Sequence, residues 1–289
     1  MQRCAFLTTD NLDNFVHDDD LAIAPMRKLA WEVEYVCWRA PDTDWDRYDA
    51  VVIRTTWDYQ RDCKRFLDVL KTVASSRPRL ENNLELVRWG LDKRYLEDLE
   101  RREIPIVPSL FLSEFDGDGI DDAFDALATE ELVIKPVLGA NAEFTHRIHR
   151  EREAEAYPVI MESLAGRDCI VQPFMAEVLG EGEYSLIFFG GEFSHAVIKN
   201  PAAGDFRTQE EYGATLTLVD PPQRFTELGE RAIAALDSKP LYARVDLVAG
   251  DDGSPVLMEF ELVEPSLYLR MDPGAPDRFA KVFDNWMHS

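Results

Sequence analysis

Residues 242–265 read YARVDLVAGDDGSPVLMEFELVEP, two apolar runs on either side of Asp-Asp-Gly-Ser. That pattern predicts a β-hairpin with strands at 242–248 and 256–262. With the turn centred on Asp252-Gly253, Asp246 falls opposite Glu259 and Arg244 opposite Glu261. Side chains alternate between faces along a strand, so all four share one face of the pair. Like charges set opposite one another weaken a sheet, so strands this apolar need a cation to carry three carboxylates. An all-oxygen set without Cys or His suits Mg2+ or Mn2+, above all where substrate phosphates complete the shell. The competing reading has the same acids facing water on an ordinary antiparallel sheet, and a slip of one residue would change the pairings.

The rest of the chain supplies the frame. Over the first hundred residues, strand patterns at 4–8, 33–38 and 51–53 alternate with helical ones at 21–31 and 66–73. Such alternation predicts a parallel, doubly wound α/β sheet. No G-x-G-x-x-G follows the first strand, which excludes a dinucleotide fingerprint. DKRYLEDLERR predicts a helix at 92–102 that ends before Ile104-Pro105. A strand at 107–112 and an acidic Gly/Asp loop at 114–122 follow. Beyond 132 the pattern is strand-rich: strands at 132–137, 144–149, 169–174, 184–189 and 192–199, with helices at 151–164, 225–236 and 277–287.

Charge narrows the partners. Lys and Arg number 31 against 55 Asp and Glu, a formal net charge of −24 over 289 residues. A surface of that sign repels nucleic-acid backbones and anionic lipid, so any anionic ligand must be met by a local basic pocket. The four cysteines (Cys4, Cys37, Cys63 and Cys169) form no C-x-x-C pair, which argues against a zinc site or a disulfide framework. With no signal-peptide h-region and no long apolar run, the sequence predicts a soluble cytoplasmic protein. His146 and His149 stand three apart in a strand pattern, hence on opposite faces rather than as a metal pair. His195, between apolar neighbours, reads as a satisfied strand histidine.

Several cations and turns stand where a phosphate ligand could use them. Lys135 ends a strand in VIKPVLGAN, and the following turn with Gly139 would let backbone N–H groups approach phosphate oxygens. Lys93 opens the DKRYL helix. Gln172 and Phe174 close an apolar strand suited to an adenine edge, and Glu183 begins the next one. Lys199 and Arg207 flank a Gly-containing loop, a fitting arrangement for clamping a transferring phosphoryl group. Taken one at a time, each also reads as an ordinary surface residue.

Taken in order, Lys93, Lys135, Gln172–Phe174, Glu183, Lys199/Arg207, Arg244-Val245-Asp246 and Glu259-Phe260-Glu261 resemble the ATP-grasp superfamily of carboxylate–amine ligases. That superfamily includes glutathione synthetase and D-alanine–D-alanine ligase. Within it, DWDRYDAVVIRTTWDY, RWGLDKRYL, GEYSLIFFGGEFSHAVIK and MEFELVEPSLYL are most similar to the group containing the cyclo-ligase of D-cycloserine biosynthesis. The resemblance spans essentially the whole chain. It implies an N-terminal Rossmann-like domain at 1–108, a small ATP-grasp subdomain at 109–175 and a large one at 176–289, an α/β unit followed by two α+β units. It also implies ATP between the last two, with Lys93 and Lys135 on its phosphates under the Gly139 loop. Gln172 and Phe174 would flank the adenine, and Glu183 would take a ribose hydroxyl. Asp246, Glu259 and Glu261 would hold two Mg2+ ions, with Mn2+ as a substitute. Arg244, Lys199 and Arg207 would stabilise the transferred phosphoryl and an acyl phosphate. Two departures stand out: Glu261 replaces the Asn of the common Glu-x-Asn, and GANAEF lacks the Gly/Ser density of many phosphate loops.

In open α/β sheets, ligands gather beyond the carboxyl ends of strands. Arg54, Thr55, Trp57, Asp58 and Tyr59 follow the third strand directly, offering a cation, a hydroxyl and two aromatic rings to a substrate carboxylate. Thr9 and Asp10 are lesser candidates. Glu264 and Ser266 follow the acidic hairpin and are expected to face an acceptor. The expected activity is ADP-forming ligation of a small amino-acid-like carboxylate to an amine, intermolecular or within one molecule. A small-molecule kinase would use the same nucleotide site, and a non-catalytic nucleotide-binding protein would keep the site without turnover.

Overall fold

The computed structural model describes residues 1–13 and 15–289. Strands β1 (Gln2–Thr8), β2 (Trp31–Cys37), β3 (Ala50–Thr55) and β4 (Arg79–Glu81) form a parallel sheet of order β2-β1-β3-β4. Helices α1 (Asp20–Lys28) and α2 (Cys63–Ala74) make its crossovers. Phe66, Leu70 and Val73 form the buried stripe of α2, spaced as a helix packing one face requires. The Asp62 side chain accepts from the Arg65 N–H and caps its first turn.

Helix α4 (Tyr95–Arg101) falls within the helix expected at 92–102, and α3 (Leu84–Gly90) precedes it where the sequence pattern predicts none. The Asn83 carboxamide accepts from the N–H groups of Glu85 and Leu86 and so starts α3, a cap that the helical pattern at 92–102 did not cover. Leu86, Tyr95, Leu96 and Leu99 are buried with Leu186, Phe188, Phe225 and Phe260, so α4 packs against the last sheet, while α3 also buries Val87 with Val51, Phe66 and Leu70 in the core of the first.

The middle sheet is antiparallel, order β5-β8-β6-β7, built from β5 (Leu110–Leu112), β6 (Glu131–Pro136), β7 (His146–His149) and β8 (Cys169–Pro173). Helices α5 (Ile120–Ala126) and α6 (Glu153–Leu164) add Ile120, Phe124, Ile160 and Leu164 to its core. The acidic loop is shorter than expected, because Gly119 at φ +86° turns the chain straight into α5. The strand expected from 107 starts at 110. Upstream of it, Val107 N–H and Leu257 N–H instead bond the carbonyls of Leu257 and Pro105, at 2.9 Å each, which ties the segment to the last sheet. β7 begins at His146 rather than 144, since Asn141, Ala142 and Phe144 all hold positive φ and cannot continue a ladder.

The last sheet is antiparallel, order β11-β10-β9-β12-β13, from β9 (Glu183–Phe189), β10 (Glu192–Asn200), β11 (Thr215–Val219), β12 (Tyr242–Ala249) and β13 (Pro255–Glu261). Helix α7 (Gln223–Ala234) buries Phe225, Leu228 and Ile233 against it. Helix α8 (Ala275–Met287) returns to α1, so that Phe279 and Phe283 share a core with Phe6, Met26 and Trp31.

In the β12–β13 hairpin, Arg244 pairs with Glu261 and Asp246 with Glu259, as expected, by two compensating departures. The turn is wider than a two-residue hairpin, closed by Gly250 N–H to Ser254 O at 2.8 Å, and Ala249 pairs with Pro255. That register would set Asp246 against Met258. A bulge between Asp246 and Leu247 restores the acid pairing. All four cysteines are free thiols. Among the described residues no helix is long and apolar enough to cross a membrane.

Candidate active site

One face of the last sheet carries alternating charge across four strands. Glu183 and Ser185 are two apart on β9, Arg244 and Asp246 two apart on β12, and Glu259 and Glu261 two apart on β13, so the pleat aims each pair the same way. Lys199 on β10 sits opposite Glu183, and Ser185 opposite Asp246. Lys199 Nζ lies 2.5 Å from Glu183 Oε1 and 3.6 Å from Asp246 Oδ1. Arg244 grips Asp246 through Nε to Oδ1 at 3.0 Å and Nη2 to Oδ2 at 2.9 Å, and it also pairs with Glu261. The Ser185 hydroxyl donates to Asp246. A second wall comes from the middle sheet and the segment before α4. Lys93 Nζ lies 2.9 Å from Glu259 Oε1 and donates to Gly139 O at 3.0 Å, while Lys135 Nζ lies 3.7 Å from Glu259 Oε2.

Burial opposes charge on every one of these groups, and the neighbours decide the outcome. For Glu259, Lys93 and Lys135 outweigh burial and hold the carboxyl well below the usual range. Lys199 stays protonated above the usual lysine value because Asp246 and Glu183 outweigh its burial. Glu261 goes the other way. Burial, reinforced by Asp246 and Glu259 against the pull of Arg244, pushes it up to about 7. Burial and the charge of Glu261 push Glu264 up to about 8.

No three Asp, Glu, His or Cys side chains close into a metal cage among the described residues. Mg2+ does not require one, since it keeps waters and is held by one or two carboxylates plus substrate phosphates. Asp246, Glu259 and Glu261 are a hard-oxygen set of that kind. The raised Glu261 carboxyl marks negative charge that a divalent ion would relieve, so the donor set fits the ion.

Sixteen of the nineteen residues named from the sequence line one cleft, whose empty volume is about 1620 Å3 including its open mouth. They are Lys93, Lys135, Gly139, Gln172, Phe174, Glu183, Lys199, Arg207, Arg244, Asp246, Glu259 and Glu261, together with Trp57, Tyr59, Glu264 and Ser266. Gln172 is buried and donates to Ser109 Oγ at 2.9 Å. The Arg147 guanidinium stacks 3.6 Å from the centre of the Phe174 ring. Arg207 is held by Asp205, Nη2 to Oδ2 at 2.7 Å, over the Tyr212 ring. The Gly139 loop is tied across the cleft by Gln60 Nε2 to Glu143 Oε2 at 3.1 Å.

Arg54, Thr55 and Asp58 are the three that do not line the cleft. Arg54 is fully buried, its Nε and Nη2 on the two oxygens of Asp19 at 3.1 and 3.0 Å and Nη2 also on Pro265 O at 2.8 Å. Thr55 donates to the Thr8 hydroxyl inside the first sheet. Asp58 accepts from Trp38 Nε1 at 2.6 Å and Arg39 Nε at 3.0 Å. All three are consumed by structure. Thr9 hydrogen-bonds β3 through its backbone, and Asp10 contacts the Cys37 thiol. His195 contacts Leu267 O and Ser194, His146 contacts Ser163, and His149 accepts from Glu151 N–H.

Sequence reasoning missed Thr208 and Tyr268, which also line the cleft. Thr208 donates to Glu183 Oε2 at 2.6 Å. Tyr268 holds φ +48° beside Arg244. Ser185 was within reach, because it is two residues from Glu183 on the same strand. Tyr268 lies on irregular chain, where no periodicity points to it.

Residues 4–82 match the family model described as the N-terminal domain of D-cycloserine synthetase DcsG. The sequence is 35% identical over 272 residues to the cycloserine biosynthesis protein DcsG of Streptomyces lavendulae, covering 89% of each chain. A crystal structure of D-cycloserine synthetase DcsG matches with a TM-score of 0.86 at 30% identity over 99% of both chains. D-alanine–D-alanine ligase from Bacillus anthracis, solved with ATP, matches with a TM-score of 0.67 at 18% identity, over 98% of this chain and 95% of that one. The α/β and α+β architecture expected from the sequence is the fold these proteins share.

Proposed function

The chain belongs to the family of the cycloserine biosynthesis protein DcsG, and we propose that it is an ATP-dependent, ADP-forming ligase acting on a small amino-acid-like carboxylate. The observation that carries this reading is the opposed pair of charged walls. Lys93 and Lys135 face Lys199, Arg244 and three acids across a cleft, in a protein whose net charge of −24 would otherwise repel a triphosphate.

Lys93 and Lys135 would bind phosphate oxygens beneath the Gly139 loop, and Glu183 a ribose hydroxyl, with Gln172 and Phe174 beside the base. Asp246, Glu259 and Glu261 would hold Mg2+, two ions in our reading, whose charge would offset that of the phosphates. The substrate carboxylate oxygen attacks the γ-phosphorus and ADP leaves. An amine nitrogen then attacks the acyl carbon, phosphate leaves, and the nitrogen loses a proton. Lys199, Arg244 and Arg207 are fixed before the substrate arrives, so they would meet the transferring charge with little reorganisation. Trp57, Tyr59, Glu264 and Ser266 would receive the carboxylate and the amine and exclude water. We read the three sheets as the cores of three domains, at 1–108, 109–175 and 176–289, and the protein as cytoplasmic.

An ADP-release screen across amino acids and small carboxylates with Mg2+, followed by mass spectrometry, tests the proposal. An amide or ring product formed one-for-one with ADP supports it. A phosphorylated product that accumulates without an amide refutes it in favour of a kinase, and no ADP across a broad panel refutes both.

A further inference from the structure

Glu183, Asp246, Glu259 and Glu261 each have a lysine or arginine partner within the cleft. Glu264 lines the same cleft, is only 8% exposed, and has no ion-pair partner among the described residues. Burying an unpaired carboxylate is costly, and a flexible segment would turn it out to water. This segment is not free to do so. Asn82 Nδ2 donates to Leu262 O at 2.7 Å, Trp57 Nε1 to Glu264 O at 2.9 Å and Arg54 Nη2 to Pro265 O at 2.8 Å. Three carbonyls within four residues are thus pinned by side chains from β3, the loop after it and the residue that follows β4. The carboxyl is held in the cleft, whose lining also includes the rings of Trp57 and Tyr59, themselves buried.

A fixed, buried acid flanked by aromatic rings recognises a small organic cation. We infer that Glu264, with Tyr59 and Trp57, is the receptor for the protonated primary amine of the acceptor, which enters as an ammonium ion and gives one proton to the Glu264 carboxylate before its nitrogen attacks. This rests on the ligase reading and adds the chemical class of its second substrate. It also separates the two halves of the cleft. Carboxylates that already have lysine or arginine partners serve the nucleotide end, and the buried one without a cation serves the amine.

The test is a thermal-shift titration of the full chain with Mg2+ and ADP present, using methyl-, ethyl- and propylammonium chloride against methanol, ethanol and propanol. At least one ammonium ion should stabilise the protein saturably while its alcohol does not. Glu264→Gln should weaken that response at least tenfold with Mg2+·ADP affinity unchanged, and Glu264→Asp, which keeps the charge, should recover most of it. No saturable ammonium response in the wild type, or an equal response in Glu264→Gln, overturns the inference. A matching loss of Mg2+·ADP affinity in Glu264→Gln also overturns it, by making Glu264 a metal ligand. Absence of Mg2+·ADP binding in the wild type counts against the ligase reading itself, whereas nucleotide binding without an ammonium response removes only the amine site.

Discussion

Arg54 distinguishes a substrate-binding arginine from a structural one. Its guanidinium spans Asp19 and Pro265 O with 1% exposure, and Asp19 is 3% exposed. Arg54→Met leaves the Asp19 carboxylate buried without its cation, which costs roughly 3–5 kcal/mol. At roughly 2–4 °C per kcal/mol for a large domain, the unfolding midpoint should drop by roughly 6–20 °C. Burial already raises the Asp19 carboxyl above its ordinary value, against the pull of Arg54. Without Arg54 that rise grows, and a carboxyl raised in the folded state loses stability as pH climbs through its folded value. The deficit should therefore be larger at pH 8 than at pH 5, where Asp19 can take a proton. The double variant Asp19→Asn/Arg54→Met should be more stable than Arg54→Met alone. Denaturant melts at both pH values measure all three quantities. A loss under about 1 kcal/mol, or one that does not change with pH, would refute the buried-pair argument. An unchanged midpoint with a raised substrate KM would return Arg54 to the substrate.

Lys199→Met removes the cation shared by Glu183 and Asp246, so ADP formation should fall by roughly 10²-fold or more, and a rate within threefold of wild type in a coupled ADP assay counts against its place in the site. Burial pushes Glu261 up to about 7 and Glu264 up to about 8. Both lie above the ordinary glutamate value, so the stability they contribute is present in acid and lost as pH rises through 7–8. Through Glu261, Mg2+·ADP binding at pH 6.5 should release protons and tighten as pH rises through 7, which calorimetry in two buffers of different ionisation enthalpy would detect as a buffer-dependent heat. A Cβ added at Gly229 would stand 2.9 Å from Phe188 Cζ and 3.0 Å from Leu186 Cδ2, both side chains fully buried, so Gly229→Ala should cost about 1–3 kcal/mol in a thermal melt without altering nucleotide affinity.

The sequence revealed most where charge interrupts an apolar strand, because alternation alone decides which side chains share a face. Asp246, Glu259 and Glu261 were legible that way before any coordinates. Even there, the agreement at the hairpin hides a wider turn and a bulge that cancel each other. Alternation says nothing about what a polar residue at a strand end will touch. Arg54, Thr55 and Asp58 were read as open to substrate because they follow β3, yet each found a partner brought from elsewhere in the chain: Asp19, Thr8 and Arg39. Trp57 and Tyr59, from the same run, do line the cleft, and Trp57 Nε1 reaches Glu264 O rather than the first sheet. The difference is not in residue type. It lies in whether tertiary packing supplies a complementary group before a ligand can, and a buried polar group will take the first good partner available. A polar residue that the fold has not paired is then the more informative one. Glu264 meets that condition on the active face, where Arg54, the more obvious candidate in the sequence, does not.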